Sequence, residues 1–225
     1  MPTISKRRRA NSELRPANPV SPEEAIAVLR SFKAPKFDQT VNAVVNLGID
    51  PKQADQALRG SIAMPHGIGK SVRVICFCGS DKVEAAKSAG AIEAGSDDLV
   101  AKIEGGWMDF EVAIASPDMM RVVSKLGKVL GPKGLMPSPK AGTVTPDVIA
   151  GVREYSAGKQ EYRNDAGGNV HCVLGKMSFP DAHLAANLRH FLATIERVKP
   201  ASSKGQYIKK CAVSAAMSPS VLVSA

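Results

Sequence analysis

No stretch of this chain is apolar for anything near the roughly 20 residues that a spanning helix requires. No hydrophobic segment follows the charged start Met1-Pro2-Thr3-Ile4-Ser5-Lys6-Arg7-Arg8-Arg9, so neither a membrane span nor a secretory signal is expected, and the expected location is the cytoplasm. Cysteine is sparse. The four present include no CxxC or Cys/His spacing suited to zinc. Cys76 and Cys78 lie two apart on one face of an apolar run, Cys172 and Cys211 sit alone in other apolar runs, and buried structural thiols are expected for all four.

Catalytic constellations are missing too. No serine, histidine or acid falls in a nucleophile elbow or a metal motif, and His183 and His190, seven apart, repeat one helical face beside the isolated His66 and His171. Gly69-Lys70-Ser71 has the tail of a phosphate loop, but Met64 stands where that loop needs glycine and the triplet precedes a strand. Gly131-Pro132-Lys133-Gly134 follows a helix and lacks the dinucleotide spacing. A nucleotide-dependent enzyme using the middle of the chain is the alternative reading. The favoured one has no enzymatic activity, no cofactor and no metal.

What is present is positive charge. Thirty Lys and Arg against 21 Asp and Glu give +9 and a pI near 9.5, which points to an anionic partner, nucleic acid first. The charge is unevenly placed. Residues 1–66 hold ten basic and six acidic residues and residues 158–225 hold nine and four, whereas residues 67–157 balance at eleven each.

The same boundaries follow from the patterning. Ser21-Pro22-Glu23-Glu24 is a capping box with proline at the first helical position, predicting a helix to about Ser31. Phe37, Val41, Ala43, Val45 and Leu47 then alternate with Asp38, Thr40, Asn42 and Asn46, predicting a half-buried strand. From Ser71 to Tyr155 apolar strands and helical runs follow one another, among them PDMMRVVSKLGKVL read as one helix, which argues for a parallel sheet covered by helices. The last third holds a hairpin-like stretch, a long amphipathic helix from Pro180 to about Val198 and a final strand, predicting an antiparallel sheet with helices on one side. The fold class is therefore α/β in two domains. A discontinuous α+β domain (1–66 and 158–225) carries the excess charge, and an α/β domain (67–157) is inserted into it.

Within the neutral middle one window stands out: Met119 to Thr145 carries Arg121, Lys125, Lys128, Lys133 and Lys140 and no acid. Its loop GPKGLMPSPKAGTV combines stiffening prolines, permissive glycines and two lysines, the composition of a rigid basic finger.

Val129 to Val144, VLGPKGLMPSPKAGTV, closely resembles the signature of the ribosomal protein L-one family, the large-subunit proteins of the mobile stalk by the tRNA exit site. Lys36-Phe37-Asp38-Gln39-Thr40-Val41, Met64-Pro65-His66-Gly67, Tyr162-Arg163-Asn164-Asp165 and Lys204-Gly205-Gln206-Tyr207-Ile208-Lys209-Lys210 resemble further family segments in family order. The resemblance implies a discontinuous RNA-gripping domain and an inserted Rossmann-like domain. It implies binding to the stalk region of large-subunit ribosomal RNA, help in moving and releasing exit-site tRNA, repression of translation through the leader of the protein's own messenger, and a monomer when free. The implied RNA face is Lys36, Phe37, Thr40, His171, Lys176, Ser214, Met217 and Ser218, with Arg7 and Arg8 on phosphates and Lys133 and Lys140 as auxiliary contacts. The chain departs from the family at Lys133 and Ser138, where arginine and asparagine are usual. It departs again at Ser214-Ala215-Ala216-Met217-Ser218, where Ser-Thr-Thr-Met-Gly is typical.

Overall fold

The computed structural model describes residues 5–203 and 205–224, so the first four residues and Lys204 of the family-like segment lie outside the description. The chain forms two compact units. One runs to Gly69 and resumes at Tyr162, and the other is Lys70–Glu161.

The discontinuous unit begins with α1 (Lys6–Glu13), capped by Ser5, whose hydroxyl accepts from the Arg8 N–H at 3.3 Å. Asn11, almost fully buried, pins this helix by accepting from Lys33 N–H and donating to Lys33 C=O. The basic residues Lys6 to Arg9 of the charged start thus lie in an anchored helix. In α2 (Pro22–Ser31) the capping box forms as expected, with Ser21 Oγ accepting from Glu24 N–H at 3.3 Å and Ser21 N–H donating to the Glu24 carboxylate at 3.0 Å.

Four antiparallel strands follow the order β7-β1-β8-β9: β1 (Thr40–Leu47), β7 (Asn169–Lys176), β8 (Ile208–Ala215) and β9 (Val221–Val223). Period-two alternation divides the sheet. Val41, Ala43, Val45 and Leu47 of β1, with Val170, Cys172, Leu174, Cys211 and Val213, are buried against Ile26 and Leu29 of α2 and Leu184, Leu188, Phe191 and Ile195 of α8 (Asp181–Arg197). The helical spacing of that last quartet is the apolar stripe the sheet needs. On the other face Thr40, Asn42, Val44 and Asn46 lie opposite Lys176, Val173, His171 and Asn169, and all are at least partly exposed. Phe37, expected on the packed face, precedes the strand and is 49% exposed. The short strand β2 (Arg59–Ile62) joins β6 (Gln160–Arg163) in a two-stranded sheet, with Gly60 against the Tyr162 ring. The hairpin expected between β6 and β7 is therefore reduced to a single bridge, Asn164 to Val170.

In the inserted unit, β3 (Val74–Phe77) is the centre of a parallel sheet ordered β4-β3-β5, with β4 (Glu93–Gly95) and β5 (Val112–Ala115). Both faces of the central β3 are buried, as a parallel sheet requires. Ile75 and Phe77 pack with Leu99, Val100 and Ile103 of α4 (Asp97–Glu104), while Val74, Cys76 and Cys78 pack with Ala86 of α3 (Val83–Ser88) and with Val148, Val152 and Tyr155 of α7 (Val148–Ser156). All four cysteines are buried and free, with burial pushing Cys172 up to about 12 and Cys211 to about 11, so they stay protonated. The run expected as one helix after Pro117 is broken into α5 (Met120–Val123), a 3₁₀ turn and α6 (Gly127–Leu130). Three β-branched valines and Gly127 weaken helix propensity there.

Candidate nucleic-acid interface

The end of the four-stranded sheet where β1 begins is assembled by backbone ties. Ala216 N–H donates to Thr40 C=O at 2.9 Å, the Gln39 side chain donates to Ala216 C=O, and Met177 N–H donates to Gln39 C=O at 2.8 Å. Asp38 accepts from the Ser178 N–H at 3.1 Å and hydroxyl at 2.9 Å, fixing the segment that carries Lys36 and Phe37. Lys176, paired with Thr40 across the ladder, donates from Nζ to Thr40 Oγ1 at 2.9 Å. Lys36, Phe37, Thr40, Lys176, Met217 and Ser218 are thereby gathered at one rim, and Ser214 sits beside them on the open face opposite Asn42.

Met217 is unusual in two ways. Its φ of 61° makes it the one non-glycine residue with positive φ among the described residues, and its side chain is 71% exposed. A bulky residue in the left-handed region costs about 1–2 kcal/mol, and here no burial offsets it. Ser218 closes the turn, accepting from Ala215 N–H at 3.0 Å with its hydroxyl 2.9 Å from Ala215 C=O and 3.1 Å from Pro219 C=O. With one hydrogen to give, that hydroxyl keeps at most one acceptor position for a ligand.

The remaining candidates stand apart. His171 lies on the same face but five residues from Lys176, toward Asp165, whose carboxylate is 3.7 Å from Nε2. Asp165 itself is held at about 2, first by the hydrogen bond from the Asn169 side chain and then by the Asn169 and Gly167 N–H groups. Arg7 and Arg8 are on α1, which Asn11 ties to Lys33, three residues before Lys36. Arg7 Nη1 is buried with no hydrogen-bond partner among the described residues. Sequence reasoning missed Gln39 and Asn187. Gln39 is buried at the rim, and Asn187, fully buried, donates to Leu174 and Gly67 C=O and accepts from His66 N–H, beneath a stacked His66–His183 pair with centroids 3.9 Å apart. The polarity of Asn187 inside an apolar helix stripe was its only signal.

In the inserted unit the basic loop is tied at several points. Tyr155 Oη donates to Ala141 C=O at 2.6 Å, Ser138 N–H donates to Thr143 Oγ1 at 2.8 Å, Leu135 N–H donates to Leu130 C=O at 3.0 Å, and Gly142 takes φ 72° to end the turn at 139–141. Lys133 and Lys140 are exposed on this fixed frame. At the carboxyl ends of β3 and β5, where strand order reverses, a pocket of about 420 Å³ is lined by Gly79, Asp81, Lys82, Ser116 and Asp118. This is where such folds take nucleotides. Two carboxylates and the lack of a glycine-rich turn oppose a phosphate there.

Residues 29–219 match the model of the Ribosomal protein L1p/L10e family. The chain is 50% identical to the Large ribosomal subunit protein uL1 of Nocardioides sp. over 203 residues, covering 90% of this chain and 85% of that one. The uL1 of Cutibacterium acnes is likewise 50% identical, over 90% of this chain and 88% of its own. That of Alkalilimnicola ehrlichii is 47% identical over 99% of this chain and 97% of its own.

Proposed function

The chain belongs to the Ribosomal protein L1p/L10e family, and from that premise we propose that it grips the stalk region of large-subunit ribosomal RNA with the rim of its four-stranded sheet. It is a structural constituent of the large ribosomal subunit, in the cytoplasm where ribosomes work. The observation that carries the RNA reading is the rim itself. A positioned lysine, Lys176, stands beside an exposed Phe37 and an exposed Met217 held at positive φ, on a sheet whose four strands contain no Asp or Glu. Lysine answers phosphate, and an exposed aromatic ring offers a stacking surface to an unpaired base.

In this reading Lys36, Thr40, Ser214 and Ser218 complete the contact, Arg7 and Arg8 add phosphate contacts from α1, and His171 meets RNA farther along the face. Residues 1–66 with 158–225 form the RNA-binding domain, and residues 67–157, the inserted one, offer Lys133 and Lys140 as an auxiliary contact. Such a protein, monomeric when free, assists movement and release of exit-site tRNA. It also represses its own translation by binding a similar RNA structure in its messenger leader. Cosedimentation of the purified chain with large subunits, together with binding to a transcript of the stalk region, tests the reading. Failure of both would overturn it.

A further inference from the structure

We propose that the RNA footprint continues along the open face of the sheet to a second contact at its far end, where Lys209 and Lys210 border a groove for an unstacked nucleotide. This rests on the RNA reading above. Three observations carry it.

The first is continuity. From Ser214 to Lys210 the open face of β8 runs four residues, roughly 13 Å, and it is bordered by Asn42, Val44 and Asn46 of β1. These are small or neutral side chains that leave the way clear for a strand of RNA. An anionic backbone crossing this face meets no carboxylate from any of the four strands.

The second is a bulge. Asn46 pairs with Lys210 but Leu47 pairs with Ile208, so Lys209 is the extra residue on β8. Regular alternation would turn one of two consecutive side chains inward, whereas a bulge re-aims one of them. Lys209 and Lys210 are in consequence both exposed, ahead of the buried Cys211. Neither ammonium group has a hydrogen-bonding or acidic partner among the described residues, so their charge is unspent within the fold.

The third is a concavity at the same place. A groove of about 350 Å³ is lined by Pro19, Gln206, Lys209, Lys210, Leu222 and Ser224 together with apolar residues of β8 and β9, at the small end of the size range of ligand pockets. Pro19 and Leu222 give it apolar walls for the flat face of a base. The Gln206 amide can pair with a base edge or a 2′-OH, and the two lysines stand where the flanking phosphates run. A protein partner would need an apolar patch far broader than one groove of about 350 Å³ bordered by two lysines.

The test uses the full chain and a transcript of the stalk region of large-subunit ribosomal RNA. Replacing both residues (K209A/K210A) should flatten the plot of log affinity against log salt by roughly 1.4–1.8 units for two phosphates. It should also release ribose protections at one edge of a hydroxyl-radical footprint. The charge-preserving K209R/K210R should restore both, which separates lost charge from a disturbed strand. An unchanged slope and footprint in the alanine pair, or no rescue by arginine, overturns the proposal while leaving the rim intact. If the unmodified chain does not bind the transcript, the RNA reading fails and this inference with it.

Discussion

Lys176 Nζ donates to Thr40 Oγ1 at 2.9 Å, across the ladder pair that closes the open end of the sheet. The bond gives a flexible cation one direction, so less rotamer freedom remains to be lost when a phosphate arrives. Replacing Thr40 by Val keeps the strand shape and removes the acceptor. Thr40→Val is expected to lower stalk-RNA affinity a few-fold with no change in salt slope, whereas Lys176→Ala lowers both, the slope by about one unit. Filter binding across a salt series distinguishes them. Equal slopes for the two variants would count against the lysine as a phosphate contact.

Met217 offers a second check, because its strain and its exposure separate fold from function. Met217→Gly relieves the positive φ but raises the entropy of the unfolded chain, two terms of about 1 kcal/mol and opposite sign. Thermal stability should therefore change little, while RNA affinity falls. A large loss of stability would mean that the side chain holds the turn.

Ser218→Ala removes the hydroxyl that caps Ala215 N–H, and about 0.5–1.5 kcal/mol of folding stability should go with it. Affinity is expected to fall by more than the loosened turn alone accounts for, because the hydroxyl's remaining acceptor position meets RNA. Stability lost with affinity unchanged would count against Ser218 as an RNA contact.

These particulars also mark where sequence stops being informative. The capping box at Ser21, the alternation of β1 and the stripe on α8 were legible because each is a local pattern with one structural solution. Phe37 was misjudged because alternation does not reveal where a strand starts, and the ladder begins only at Thr40. The strand β4 was hidden because Glu93–Gly95 is too short and too polar to show a period. Lys209 was invisible as a bulge because register belongs to the partner strand. The Lys176–Thr40 bond joins residues 136 apart in sequence, a separation no local pattern reaches.

The basic loop should depend on Tyr155, which is 1% exposed and bonded to the equally buried Ala141 carbonyl. Tyr155→Phe leaves that carbonyl without its donor and should cost about 1–3 kcal/mol in denaturant unfolding of the inserted unit. Binding through the sheet rim should persist. A neutral Tyr155→Phe would show that water replaces the hydroxyl and that the loop is fixed by its prolines.

Asp165 predicts a pH response. Its carboxyl is held at about 2, below the ordinary 3.8, chiefly by the Asn169 side chain. A depressed acid contributes its full stabilisation above the ordinary value and loses it as pH falls through about 2. Carbon-detected NMR titration should give a midpoint near 2, rising toward 3.8 in Asn169→Ala. A midpoint near 3.8 in the unmodified protein would mean that the turn does not hold its hydrogen bonds in solution.

The central claim is that the sheet rim, and not the basic loop of the inserted unit, is the main grip on ribosomal RNA. The most direct measurement compares the affinity of the full chain for the stalk transcript in two double variants, K36A/K176A and K133A/K140A, at one salt concentration. Charge-assisted hydrogen bonds are worth about 1.5–3 kcal/mol each, so loss of two at the rim should cost about a hundredfold or more in affinity and the loop pair much less. A greater loss from the loop pair would contradict the account.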